Sequence, residues 1–189
     1  MSTLYLMRHG QTLFNQLRRK QGACDSPLTE LGIEQARRAG EWLAANAPAF
    51  DRYYTSTQER ASDTLEIAVP GVPYERVKGI KEQSFGKFEG ITEDLNLAGP
   101  AGDFYAAFGG EADDDFAQRV LDAFTELMER PGGERVLAVT HGCVCAQMLR
   151  LSGYDLDAHG KQLGNCAICI FEFDPAARSF TPLDVINPL

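Results

Sequence analysis

The chain has 189 residues, 44% of them hydrophobic, and a formal charge of -9 at pH 7. That size predicts a single domain, residues 1–189, with a sizeable core, and the net acidity argues against a nucleic-acid ligand, which selects for a basic face. No apolar run approaches the roughly 18 to 20 residues of a membrane span, and no basic segment leading into a long apolar stretch opens the chain as a secretory signal would.

Apolar runs alternate with helical periodicity, which predicts an α/β fold. Residues 3–8 read as a strand. Residues 29–46 read as a helix, with Leu31, Gln35, Ala39 and Leu43 at a spacing of four and Thr29 as its N-cap. Residues 51–56 form a second strand. A helix over 57–68 follows, with Ser56 and Glu59 in a capping-box spacing. VPYERVKGI at 72–80 suggests a third strand and a turn. Residues 91–112 are irregular and predict a loop with a short helix.

Residues 113–130 read as a helix with Val120, Phe124, Leu127 and Met128 on one face. Asp113, Asp114 and Asp115 suit its positive end. RVLAVT at 135–140 is a strand of the kind buried on both faces, and a helix from Cys143 to about Leu151 follows it. Residues 165–174 and 178–186 close the chain as a hairpin.

The five cysteines, Cys24, Cys143, Cys145, Cys166 and Cys169, form no regular framework. That favours reduced thiols and a cytoplasmic location. Cys166 and Cys169 have C-x-x-C spacing, but positions three apart on a strand point to opposite faces, so core packing is expected and no metal site.

The chemistry concentrates at the histidines. Of the three, His9 and His141 each end an apolar run and each precede a glycine. Arg8 can hold a phosphoryl group with two parallel charge-assisted hydrogen bonds, and His9 is suited to attack it as a neutral nitrogen nucleophile. Arg60, in the first turn of the helix after the second strand, can converge on the same anion. Its alternative is an ion pair with Glu59 or Asp63. His141 would add a hydrogen bond, and Gly142 begins a helix whose free N–H groups favour an anion. Arg18, Arg19 and Lys20 add basic character to a locally positive pocket, or form a solvated loop.

MRHGQT at 7–12, QGACDSPLTELGIEQA at 21–36, STQERA at 56–61, EQSFGKFEG at 82–90 and VTHG at 139–142 resemble the histidine phosphatase superfamily, in its phosphoglycerate-mutase-like branch. The segments fall in the family's order across three quarters of the chain. The resemblance implies a three-layer α/β/α sandwich around a mostly parallel sheet. It implies a metal-independent phosphomonoesterase that passes a phosphoryl group from a small-molecule ester through His9, without a cofactor.

Glu82 matches the first acid of the family's E-x-x-x-G-x-x-E-G pattern, which implies the general acid. Glu89 is its rival. Gln11 and Asn15 are candidates for second contacts to the phosphate, with Thr12 able to cap a helix instead, and Gln21 and Gly22 lie where the resemblance implies substrate contacts; a purely structural turn is the alternative for all of them. A cofactor-dependent phosphoglycerate mutase and a non-catalytic phosphate-binding module are the alternatives. A homodimer is compatible with the sequence.

Overall fold

The computed structural model describes residues 1–95 and 102–188. One six-stranded sheet runs in the order β3-β2-β4-β1-β5-β6. Strands β1 (Ser2–Arg8), β2 (Arg52–Ser56), β3 (Glu75–Val77) and β4 (Arg135–Thr140) are parallel, and β5 (Ile168–Asp174) and β6 (Ser179–Ile186) add an antiparallel hairpin. The helices are α1 (Leu13–Gln16), α2 (Glu30–Asn46), α3 (Glu59–Ala68), α4 (Asp113–Glu129) and α5 (Gly142–Leu151).

The two central strands are apolar at successive positions because both faces are covered. Leu4, Leu6, Val136 and Ala138 pack against Phe116, Val120 and Phe124 of α4 and Val144 and Met148 of α5. Tyr5, Met7, Leu137 and Val139 pack against Ala36, Ala39 and Leu43 of α2 and Ala61 and Leu65 of α3. Cys166 belongs to the second cluster and Cys169 to the first, so the C-x-x-C pair is divided between opposite faces of the sheet.

Several local expectations shift. Thr29 does cap α2, its hydroxyl accepting from Gly32 N at 3.0 Å. The buried face of α2, however, is Gly32, Ala36, Ala39 and Leu43, and Leu31 is 53% exposed. The reason is steric: a Cβ at position 32 would lie 2.0 Å from the Gln11 carbonyl oxygen, so only glycine lets the loop after β1 cross the helix here.

The capping box at Ser56 and Glu59 does not form. Ser56 Oγ accepts from Gln58 N, while the Glu59 N–H donates to the Asp25 carboxylate at 2.6 Å. The third strand is only three residues, followed by a 3-10 turn at Lys78–Ile80. Within 91–112 the described residues form 3-10 turns at Glu93–Leu95, Gly102–Phe104 and Ala106–Phe108, and residues 96–101 lie outside those described.

The pairing of β1 with β4 places Arg8 opposite Thr140, so His9 and His141 follow adjacent strand ends. The His9 N–H also donates to the Thr140 carbonyl at 2.9 Å. Open parallel sheets bind ligands in the crevice beyond such carboxyl ends.

The crossing of the Gly10–Gln11 loop over α2 sets the position of His9, so Gly32→Ala is expected to destabilise the fold by about 1–3 kcal/mol through overpacking, despite alanine's better helix propensity. Urea unfolding midpoints measure this; an unchanged or raised midpoint would show that the close approach is not rigid.

Candidate active site

A cavity of about 330 Å³ opens above these strand ends, lined by Arg8, His9, Asn15, Arg19, Lys20, Gln21, Glu82, Phe85, Glu93, Gly142, Cys143 and Leu163. A neighbouring hollow of similar size, lined by Lys78, Lys81, Glu111 and Arg119, shares Glu82 with it but not His9, and His141 and Arg60 lie behind the lining of both.

His9 is nearly buried, and its Nδ1 lies 2.8 Å from the Gly10 carbonyl oxygen. A carbonyl only accepts, so Nδ1 carries the proton and Nε2 keeps its lone pair. Burial, then the positive charges of Arg60 and Arg8, hold the His9 ring neutral to well below the usual histidine pH. His141 is completely buried, with its ring centroid 5.4 Å from that of His9. Neither of its ring nitrogens has a partner among the described residues. Burial and then Arg60 depress its pKa too. The pair therefore presents neutral imidazoles beside fixed cations.

Arg60 lies beneath them with 0% exposure. Its Nη1 donates to the Cys24 carbonyl at 2.9 Å and to the Asp25 carboxylate at 2.8 Å, and its Nη2 donates to the Gly22 carbonyl at 3.1 Å. The acidic partner is thus Asp25, not Glu59 or Asp63. Arg8 Nη1 donates to the Leu163 carbonyl at 2.6 Å, while its buried Nε has no partner among the described residues. Gly142 packs against this guanidinium: a Cβ there would lie 3.4 Å from Arg8 Nε.

The two glutamates of the 82–90 segment have opposite environments. Glu82 is buried, its Oε1 accepting from Gln83 N and its Oε2 from Cys143 N, each at 3.0 Å. Burial raises its pKa above the ordinary carboxylate value, against the pull of the Cys143 N–H and Arg60. The N-terminal N–H of α5 at Cys143 is therefore occupied by Glu82, not free for an anion.

Glu89 accepts from the N–H groups of Ala23 and Phe85 at 2.8 Å, Gly22 at 3.0 Å and Cys24 at 3.2 Å. Burial alone would raise it, but the Cys24 thiol and these donors outweigh burial and lower its pKa. The segment thus holds one carboxyl raised and one lowered from the ordinary value.

The remaining sequence candidates divide. Asn15 and Gln21 reach the cavity wall, with Gln21 Oε1 accepting from the Thr12 hydroxyl at 2.6 Å. Gln11 is not among the cavity-lining residues: its Oε1 accepts from Thr29 Oγ1 at 2.9 Å, turning the side chain toward the start of α2. Gly22 lies behind the wall, supporting Arg60 through its carbonyl. Arg18 is exposed and pairs with Asp94 at 3.2 Å, whereas Arg19 and Lys20 line the cavity. The Lys20 ammonium donates to the Tyr105 hydroxyl at 2.8 Å.

Sequence reading did not single out Gln58, Asp25, Thr64 or Asn165. Gln58 Oε1 accepts from Glu82 N at 3.0 Å, and its Nε2 donates to the Gly22 carbonyl. Thr64 Oγ1 joins the Gly10 N–H to the Arg60 carbonyl. Asn165 Nδ2 donates to the His9 carbonyl at 3.2 Å. Gln58 and Asp25 fall within two of the segments quoted above, which was the available signal. Thr64 and Asn165 carry none. Among the described residues no group of three His, Cys, Asp or Glu side chains could hold a metal ion, and no helix is long and apolar enough to cross a membrane.

A neutral imidazole with a free nitrogen, two guanidinium groups and a raised carboxyl at the end of a parallel sheet define a phosphoryl-transfer enzyme of the α/β class. The chain belongs to the histidine phosphatase superfamily (branch 1), whose family model matches residues 4–184. Over 155 residues it is 36% identical to a 2,3-bisphosphoglycerate-dependent phosphoglycerate mutase of Methylorubrum populi, covering 74% of this chain and 73% of that one. It is 28% identical over 188 residues to a broad-specificity phosphatase of Saccharomyces cerevisiae, covering 94% and 82%.

Among solved structures, YhfR of Bacillus stearothermophilus superposes with a TM-score of 0.79 at 33% identity, covering 96% and 95%. A mutant phosphoserine phosphatase of Entamoeba histolytica, solved with phosphoserine, gives 0.81 at 26% identity, covering 100% and 98%.

In the unfolded chain both histidines protonate near about pH 6.5. Their pKa values are lower in the folded protein, so the unfolded state binds more protons and stability falls as pH drops below that value. His141→Asn removes one of these groups. Its melting temperature is expected to fall less steeply than wild type between about pH 7 and about pH 5. Parallel slopes would contradict a neutral buried His141.

Proposed function

We propose that the chain hydrolyses small phosphate monoesters in two steps at this cavity, with Arg8, Arg60 and His141 holding the phosphoryl group. His9 Nε2 attacks phosphorus in line as the P–O bond to the alcohol breaks. Glu82 gives its proton to the departing oxygen, leaving a phosphohistidine and a carboxylate. Glu82 then takes a proton from water as the water oxygen attacks phosphorus, releasing inorganic phosphate and free His9. Positive charge around the equatorial oxygens stabilises the transition state.

The observation that carries this reading is the Nδ1 contact of His9 with the Gly10 carbonyl, which leaves Nε2 unprotonated beside Arg8 in a cavity that also holds Glu82. The relatives support the substrate class: one is named a metal-independent phosphoserine phosphatase, and a solved neighbour holds 3-phosphoglyceric acid. A phosphorylated hydroxy or amino acid is thus a reasonable first substrate to assay. The mutase reaction is the second reading, favoured by the 36% identity to a named mutase. Only 22 residues separate Gly90 from Asp113, which suits an open hydrolytic site better than one closed over a phosphoenzyme. The five free thiols fit a reducing cytoplasm.

Acid quenching during turnover of a phosphate-labelled ester is expected to trap acid-labile label on His9, and His9→Ala to lose at least about 10³-fold in kcat. Full turnover by that variant would exclude His9 as nucleophile.

Glu82→Gln is expected to slow alkyl phosphates by about 10²- to 10⁴-fold but aryl phosphates with acidic phenols far less, because a good leaving group needs no proton. Equal losses across leaving groups would remove Glu82 from the acid role.

A further inference from the structure

Glu89 is partly buried and is not among the residues lining the cavity, so its four N–H contacts call for a reason. Gly22, Ala23 and Cys24 turn three successive N–H groups toward it, a backbone nest of the kind that binds anions. The nest is tightly packed at Gly22, where a Cβ would lie 2.1 Å from the Gln83 carbonyl oxygen and 2.6 Å from Glu89 Oε1. The opposite side of the same loop faces Arg60. The peptide between Gly22 and Ala23 donates its N–H to Glu89 at 2.8 Å and accepts Arg60 Nη2 on its carbonyl at 3.1 Å. Two residues after Gly22, the Cys24 carbonyl accepts Arg60 Nη1.

We propose that Glu89 is a positioning residue for Arg60, fixing the phosphate-binding guanidinium through the backbone of residues 22–24 and taking no part in proton transfer. The Gly22–Ala23 peptide dipole lies between a carboxylate and a guanidinium, its positive end toward Glu89 and its negative end toward Arg60. Each charge therefore orients the groups that hold the other. Phe85, tied to the same carboxylate, carries this registry to the cavity wall. The proposal rests on the phosphatase reading for what Arg60 binds.

The test is a double-mutant cycle on Glu89→Gln and Arg60→Lys, with binding of inorganic phosphate measured by calorimetry alongside steady-state kinetics. Glu89→Gln alone is expected to weaken phosphate binding and raise KM by about tenfold, the scale of one charge-assisted hydrogen bond. The loss is expected to be the same for alkyl and aryl esters. The acid limb of kcat/KM should move up toward the ordinary histidine value as Arg60 loosens. In the Arg60→Lys background the same change should cost less than about twofold.

Independent, multiplying losses would overturn the proposal, as would a loss that grows with leaving-group pKa or unchanged phosphate binding. If Glu89→Gln does not fold, Glu89→Asp, which keeps the charge on a shorter stem, enters the same cycle with the same criteria. Phosphate binding is read without turnover. A wild-type protein that binds phosphate but hydrolyses no ester would therefore sink the phosphatase reading while leaving the Glu89 cycle interpretable.

Discussion

A guanidinium with no exposed surface, Arg60, lies beneath two imidazoles that share no proton with it. Burying a charge is costly unless it is paired and hydrogen-bonded. Two backbone carbonyls and the Asp25 carboxylate, all from a single loop, hold its Nη1 and Nη2, while its Nε has no partner among the described residues. Burial first, and then positive charges that include Arg60 and Arg8, hold His9 and His141 neutral, and those same charges favour an anion.

This arrangement reconciles a chain of net charge -9 with an anionic ligand. Long-range attraction is not what the protein supplies. The positive charge is local, desolvated and held by backbone, so it acts at close range where dielectric screening is weak. The sheet provides the geometry: β1 and β4 are neighbours in register, so two short Xaa-His-Gly turns, 132 positions apart, deliver their rings to one place. The Glu82 carboxyl reaches the same place from the segment after β3, held by the Cys143 N–H at the start of α5 and by Gln58 beneath its own N–H.

The parts legible in the sequence were those with a local physical signature. Apolar runs ending in Arg-His-Gly and Thr-His-Gly located the strand ends and both imidazoles. The choice of Glu82 over Glu89 came from the resemblance to the family's acid pattern over 82–90. What was not legible depended on contacts between distant residues. The spacing-of-four reading of α2 chose Leu31 because periodicity does not register that Gly32 must pass against the Gln11 backbone. That same crossing turned Gln11 away from the site. Glu59 looked like the partner of Arg60 because it is adjacent, but Asp25, 35 positions away, both accepts from the first turn of α3 and pairs with the guanidinium. Glu89 had the right chemistry for a proton donor, and only its four N–H donors show that it is a fixed anion.

Burial first, and then the charges of Arg60 and Arg8, hold His9 neutral, and the Gly10 carbonyl fixes its proton on Nδ1. Nitrogen-15 NMR of the His9 ring, in protein free of phosphate and near about pH 6, reads this directly, because pyrrole-like, pyridine-like and cationic ring nitrogens have distinct shifts. The account predicts a pyrrole-like Nδ1 and a pyridine-like Nε2. A doubly protonated ring, or a proton on Nε2 in place of Nδ1, would contradict it.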